Sequence, residues 1–181
     1  IEHIPESYES GRHINASRFV MITAGFEWEF KRNYPNGIKK RIQTIKAEQT
    51  VTDIVDSLIK GHTGKTKEIF KYLAKLISTD NLESRIITYG RDYNNISTIF
   101  GNHLYKLNNE ELKYNEMGKR LADQRNHFAH GDIDKEFIGL SLLDLIYLEY
   151  IVYIIQLKFY GIEDDKIKFA INDLFSCRLA L

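Results

Sequence analysis

Residues 140–160 read LSLLDLIYLEYIVYIIQLKFY and form the longest apolar stretch of this 181-residue chain. Polar side chains interrupt the stretch at Asp144, Glu149 and Gln156. A membrane-spanning helix needs about 20 residues with few or no charges, so these interruptions favour a helix buried in a protein core. The sequence therefore predicts one long core helix, from about residue 135 to residue 160.

Outside this stretch, apolar residues recur at intervals of three and four, which is the spacing of an amphipathic helix. No segment shows sustained two-residue alternation, and the two prolines, Pro5 and Pro35, lie outside the periodic stretches. The sequence therefore predicts an all-α helical bundle with additional helices. The predicted helices span 14–33, 38–60, 63–78, 109–130, 135–160 and 163 to the end, and residues 80–108 form shorter helices broken by Gly90 and Gly101.

The first predicted helix carries an aromatic-rich face, and the turn Tyr34-Pro35-Asn36-Gly37 ends the helix. A face this apolar is expected to pack into the core of the bundle. Its members are Ala16, Phe19, Thr23, Phe26 and Phe30.

The length suits one helical domain over residues 1–181, with an N-terminal extension over residues 1–13. Because the first residue is Ile1 and not methionine, we expect a segment of a longer protein that has an N-terminal partner domain. The one cysteine, Cys177, excludes an internal disulfide framework and favours a reducing, cytoplasmic compartment. No stretch predicts a membrane span.

The formal net charge is zero, so no overall basic field attracts nucleic acid and any contact with RNA must come from local patches. One basic cluster surrounds the Pro35 turn. It is either a set of contacts to an RNA backbone or an ordinary solvated turn. The cluster comprises Lys31, Arg32, Lys39, Lys40 and Arg41.

Residues 125–131 read RNHFAHG and lie at the end of the predicted helix 109–130. Each residue of an ideal helix turns by about 100°, and this rotation places Arg125 near the middle of an apolar side. A guanidinium is rarely buried without a partner, so this position needs an explanation. The expected neighbours on that side are Tyr114, Met117, Gly118, Leu121, Ala122, Phe128 and Ala129.

The sequence is consistent with two interpretations of Arg125. In the first, Arg125 forms an ion pair with a buried carboxylate, for which Glu27 and Asp144 are candidates, and braces the bundle. In the second, Arg125 faces a cleft or a subunit seam and binds a phosphate with its planar fork. His130 would then carry a proton near neutral pH.

Arg125 is followed, after four intervening residues, by His130, and this spacing resembles the R-x4-H motif of HEPN domains. The longer string, with Asn126, Ala129 and Gly131, resembles the R-N-x-x-A-H-G form of bacterial HEPN proteins. The HEPN-like C-terminal domain of ApeA-type proteins is the nearest suggested relative. Beyond this short motif, the resemblance rests on architecture: an aromatic first helix, a late motif helix and a long apolar helix after it.

The resemblance implies a HEPN-like helical bundle that forms a homodimer with its two motif helices facing each other. It implies a metal-independent ribonuclease in phage defence, a toxin-like system or RNA processing, acting on RNA, with tRNA as one candidate substrate. Arg125 and His130 would carry the chemistry and the polar Asn126 would support them. The alternatives are a non-catalytic HEPN module for RNA binding or dimerisation, and a toxin-like domain controlled by a partner.

RNA cleavage of this kind needs both a histidine and an arginine. A histidine moves protons, which contributes about 10²–10⁴-fold to a rate, and a preorganised arginine stabilises the extra negative charge of the transition state. On a regular helix, however, Arg125 and His130 point about 140° apart. We therefore expect two copies of the motif to line one groove across a dimer.

The remaining candidates are weaker. His127 either assists catalysis or is a tolerated histidine near the surface, and Glu27 is a candidate auxiliary residue. The other histidines are scattered, and none has the spacing of a zinc site. The sequence therefore predicts no metal site and no cofactor.

Overall fold

A computed structural model of the chain describes residues 14–77, 79–129 and 137–181. Within these ranges the secondary structure is helical, with no strand, which confirms the all-α prediction. The chain divides into two compact units, residues 37–81 and the remainder. The described helices are α1 (Ala16–Asn33), α2 (Ile42–Gly61), α3 (Gly64–Ile77), α4 (Leu82–Asp92), α5 (Asn94–Leu107), α6 (Tyr114–Ala129), α7 (Ser141–Phe159) and α8 (Asp164–Leu174).

Helix α7 forms the core of the larger unit, as its apolar sequence predicts. It packs against α1, α5, α6 and α8. Buried residues occur all round the helix and not on one stripe, as expected of a helix that neighbours surround. They include Leu145, Tyr147, Leu148, Ile151, Ile154 and Ile155.

The aromatic face of α1 is confirmed, because Phe19, Phe26 and Phe30 are fully or almost fully buried. The Phe19 ring meets the ring of Phe128 on α6 edge-on, with 5.3 Å between their centroids. Asn15 caps the start of the helix by accepting a hydrogen bond from the backbone N–H of Arg18 at 2.9 Å. This packing holds α1 beside the motif helix α6.

The predicted role of Gly90 and Gly101 as helix breakers is wrong. Both lie inside helices, and the break between α4 and α5 falls at Tyr93. A side chain at Gly90 would collide with the ring of Tyr114, and one at Gly101 with the phenol of Tyr147. These glycines are needed for close packing, which the sequence of a single helix does not reveal.

Several predicted helix ends also differ from the structure. Helix α2 begins at Ile42 and not at residue 38, and α6 begins at Tyr114 and not at Asn109, whose backbone is left-handed with φ 58°. Helix α7 begins at Ser141. Helix α8 ends at Leu174, before Ser176 and its φ of 50°, and so does not continue to the end of the chain.

The smaller unit, residues 37–81, contains the helical hairpin of α2 and α3. The carboxylate of Asp80 closes it by accepting a hydrogen bond from the backbone N–H of Ile38 at 3.0 Å. This unit contains nine lysine and arginine residues but only five acidic ones, so positive charge is concentrated here although the whole chain is neutral. Several apolar side chains of the hairpin are about half exposed, among them Val51, Ile54, Ile69, Tyr72, Leu73 and Leu76.

Across the described part of the chain, no helix combines the length and the apolar character that crossing a membrane demands. For α7 this agrees with the sequence, since Asp144 and Glu149 interrupt its apolar residues.

One buried carboxylate, Asp144 of α7, links three helices of the larger unit. The Nε and Nη2 atoms of Arg120 on α6 donate to its two oxygens at 2.7 and 2.9 Å. The hydroxyl of Tyr105 on α5 donates to the same carboxylate. Burial raises the pKa of Tyr105, so this hydroxyl stays protonated and remains a donor.

Replacing Asp144 with alanine is expected to destabilise the protein by about 3 kcal/mol, the lower end of the cost of breaking a buried ion pair. The lower end applies because Asp144 is fully buried whereas Arg120 is 25% exposed and keeps access to water. Asp144→Asn should cost less, since its amide oxygen still accepts a hydrogen bond. Urea unfolding followed by circular dichroism measures both, and equal stability of Asp144→Ala and the wild type would contradict the assignment.

Candidate functional site

The motif helix α6 lies against α4, α1 and α7. Met117 and Leu121 are fully buried on its inner side, and Phe128 is almost fully buried near its end. A Cβ atom at Gly118 would lie 3.1 Å from the backbone of Glu83 on α4. The small residue at 118 therefore admits the backbone of α4.

Arg125 does not lie in the middle of the buried side of α6, and this expectation was wrong. Its side chain is 41% exposed, at the edge of the bundle. Its Nη1 atom donates to Oε1 of Glu27 on α1 at 3.0 Å. The predicted carboxylate partner is thus present at Glu27, but the cation is not sealed from water.

Asp144, the other candidate partner of Arg125, pairs with Arg120 instead. Arg120 is not among the residues that the helical projection places on the apolar side of this helix, yet its guanidinium turns inward onto a fully buried carboxylate. The inward arginine of the motif helix is therefore Arg120, five residues before the one that the sequence singled out.

A second cation, which the sequence analysis missed, meets the same carboxylate. Nη1 of Arg85 on α4 donates to Oε1 of Glu27 at 3.1 Å. Two guanidinium groups from different helices thus converge on a single carboxylate oxygen. The only sequence signal is the position of Arg85 between the inward-facing Leu82, Ile86 and Tyr89, which leaves it at the border of the buried face of α4.

His130, the predicted proton carrier, lies outside the described residues. Of the other predicted residues, Asn126 is exposed on α6 and His127 is half-buried. The site that the structure describes consequently contains Arg125, Glu27 and Arg85, with Asn126 on the open side of the same helix.

Gln124 connects the motif helix to the start of α7, across the segment that includes His130. Its Oε1 atom accepts hydrogen bonds from the backbone N–H of Ile138 at 2.8 Å and from the hydroxyl of Ser141 at 3.0 Å. Gln124 itself is buried. One side chain of α6 therefore binds the residues at the start of α7.

Of the basic cluster around the Pro35 turn, Lys39, Lys40 and Arg41 lie in the smaller unit, whereas Lys31 and Arg32 lie in the last turn of α1. Lys39 and Arg41 are exposed. Lys40 is half-buried and forms an ion pair with Glu48 at 2.8 Å, and Asp80 lies 3.9 Å from its ammonium group. Lys40 is thus engaged within its own unit, whereas Lys39 and Arg41 face solvent.

Residues 14–77, 79–129 and 137–181 bring together no group of three or more histidine, cysteine, aspartate or glutamate side chains that could hold a metal ion. The thiol of Cys177 is half-buried, and burial raises its pKa, so it is a poor nucleophile. The chemistry available in the described site is that of guanidinium and carboxylate groups.

Comparison with protein-family models, with curated proteins and with solved structures finds no match to this chain. The assignment of the site therefore rests on its own residues and their geometry.

Replacing Gln124 with alanine removes the acceptor of the part-buried Ile138 N–H and of the buried Ser141 hydroxyl, which is expected to cost about 2 kcal/mol. Amide exchange at Ile138, measured by NMR or mass spectrometry, should accelerate roughly tenfold or more. Asp123→Ala changes an exposed neighbour on the same helix and is the matched control. An unchanged rate of amide exchange at Ile138 in Gln124→Ala would show that Gln124 does not hold the start of α7.

Proposed function

We propose that this chain is a metal-independent endoribonuclease of the HEPN type, acting in the cytoplasm in phage defence or a toxin-like system. The observation that carries the proposal is the half-exposed guanidinium of Arg125, held in place by Glu27, five residues before His130. A cation that is both oriented and accessible can bind a phosphate, whereas a sealed one cannot.

The proposed reaction uses a nucleophile that RNA itself supplies. The 2′-oxygen forms a bond to the adjacent phosphorus while the bond from phosphorus to the 5′-oxygen breaks. The proton of the 2′-hydroxyl passes to a base, and an acid donates a proton to the departing 5′-oxygen. The products are a 2′,3′-cyclic phosphate and a 5′-hydroxyl end. Arg125 stabilises the negative charge that builds up on the phosphoryl oxygens.

A homodimer supplies what one copy lacks. One imidazole cannot act as base and acid in the same step, but two copies of His130 can, one neutral and one protonated. Val20 lies two helical turns before Glu27 on the same side of α1, and it is apolar and 43% exposed, which fits such a seam.

The substrate class is RNA, with tRNA as one candidate. The basic hairpin, residues 37–81, offers a local patch for the backbone, and Lys39 and Arg41 are its exposed cations next to the Pro35 turn. Asn126 lies on the open side of α6, where it can contact a phosphate oxygen or orient the histidine. The salt dependence of RNA binding should report these contacts.

The second candidate is a non-catalytic module for RNA binding or dimerisation. The ion pair of Arg125 with Glu27 favours it, since an arginine that already has a partner can serve packing alone. The two candidates differ in the role of His130. Binding without cleavage, unaffected by His130→Ala, would support the module over the nuclease.

The nuclease proposal predicts cleavage of tRNA or total RNA in the presence of EDTA, with 2′,3′-cyclic phosphate ends. His130→Ala should lower the rate about 10²–10⁴-fold, and Arg125→Ala should lower it about 10²–10³-fold. Gel electrophoresis of end-labelled RNA measures both rates. Arg91→Ala, which removes another exposed arginine that is paired with an acid, is the matched control and should leave the rate unchanged.

The folding of each variant is checked by circular dichroism, so that loss of activity is not loss of structure. Cleavage that stops in EDTA, or that survives His130→Ala in a folded protein, would reject the proposal.

If the active site spans two subunits, dilution below the dimer dissociation constant should abolish cleavage. Mixed dimers with one wild-type and one His130→Ala subunit should lose most of their activity, because each reaction needs both imidazoles. Mass photometry across a concentration series, with cleavage assayed in parallel, measures this. A monomer that retains full activity would exclude the shared site.

A further inference from the structure

We propose that the Glu27 carboxylate occupies the place of an RNA phosphate between two arginines, and that Arg85 is a second phosphate-binding residue of this site. The inference rests on the proposed function, because it assumes that Arg125 binds RNA. Arg85 is not part of the R-x4-H motif. It lies on α4, whereas Arg125 lies on α6.

The geometry is that of one anionic oxygen held by two guanidinium groups, each through a single nitrogen atom. Nη1 of Arg125 and Nη1 of Arg85 donate to the same atom, Oε1 of Glu27, at 3.0 and 3.1 Å. Carboxylate and phosphate oxygens accept hydrogen bonds from guanidinium groups in the same way. A phosphodiester oxygen at the position of Oε1 would therefore find two donors already oriented toward it.

The negative charge that the phosphate gains in the transition state explains why two arginines are useful. A phosphodiester carries one negative charge, and attack by the 2′-oxygen adds a second one in the transition state. One guanidinium compensates only the ground state, whereas two match the transition state. Interactions that strengthen only as the transition state forms are those that accelerate a reaction.

The chain contains a structural arginine–glutamate pair for comparison, and it differs from this site. Nη2 of Arg18 donates to both oxygens of Glu149, at 3.0 and 2.8 Å, and the two side chains are only 12% and 14% exposed. That pair is closed, and it links α1 to α7. Glu27, in contrast, is bound through one shared oxygen and faces an arginine that is 41% exposed.

The open geometry allows a phosphate to displace the Glu27 carboxylate from the two arginines. A half-buried glutamate at the edge of α1 can turn its carboxylate into solvent, and its α1 neighbour Ala24 is exposed and small. In the absence of RNA, Glu27 keeps both guanidinium groups in position and compensates part of their charge. RNA then competes with an internal carboxylate for the two arginines.

The test measures binding of a 2′-O-methyl oligoribonucleotide, which lacks the nucleophile and cannot be cleaved. Glu27→Gln removes the competing charge and should tighten binding roughly two- to fivefold, the range that exposed ion pairs are worth. Arg85→Ala should weaken binding and reduce the salt slope by about 0.7, the contribution of one phosphate contact on a single strand. Glu149→Gln is the matched control and should not change the affinity.

A double variant separates the two roles of Arg85. If Arg85 only pairs with Glu27, adding Arg85→Ala to Glu27→Gln leaves the affinity of the single Glu27→Gln variant unchanged. If Arg85 binds phosphate, the double variant loses the gain. Should Arg85→Ala fail to fold by circular dichroism, Arg85→Lys replaces it, since it keeps the charge and loses the planar fork.

Unchanged or weaker binding by a folded Glu27→Gln, or no loss on adding the Arg85 substitution, overturns the phosphate site. The outcome for the nuclease proposal is separate. Cleavage that depends on His130 but not on Arg85 rejects this inference alone. Tighter binding by Glu27→Gln, together with no cleavage of any RNA by the wild type, keeps the phosphate site and rejects the nuclease.

Discussion

The ion pair of Arg120 with Asp144 fixes the rotation of the motif helix, and the geometry of the site depends on it. Asp144 is fully buried in the core helix α7, and it holds the Arg120 guanidinium through both oxygens. Five residues later on an α-helix, the side chain direction has turned by about 140°. Once Arg120 points toward α7, Arg125 must therefore leave the core and reach the edge of the bundle, where it meets Glu27 of α1.

Local periodicity was sufficient to predict the two helices that build the core. The aromatic face of α1 reflects a helix that packs along one side, and the apolar sequence of α7 reflects a helix that others surround, so the burial of both follows from residue type alone. Helix ends depend on backbone conformation and long-range contacts, which explains the errors at residues 38 and 109. Gly90 illustrates the same limit: it was predicted to break a helix, but it makes room for a ring from α6, far away in sequence.

The sequence predicted Arg125 and Glu27 of the candidate site but not the partner of Arg120 or the role of Arg85, because these depend on contacts between helices. The sequence gives the spacing of Arg125 and its candidate partner Glu27, but a helical projection considers only neighbours on the same helix. It cannot decide which of two arginines, 120 or 125, finds the buried carboxylate of Asp144 on another helix. Arg85 was missed because a single arginine in an amphipathic helix has no distinguishing pattern. Only the packing of α4 against α6 shows that it shares an oxygen with Arg125.

In the proposed function, a chain with zero net charge attracts RNA only through local groups, and an internal carboxylate is one way to keep two cations in position for a phosphate. Two guanidinium groups at one site repel each other, and without an anion between them their side chains would turn apart into solvent. Glu27 holds them together through one oxygen, on a surface open enough for the anion to be exchanged. Had the carboxylate been buried as deeply as Asp144, the same pair of arginines would be a permanent brace. In the proposal, the exposure of the Arg125 end distinguishes the site from a structural cluster, because at 41% the guanidinium remains accessible to a phosphate.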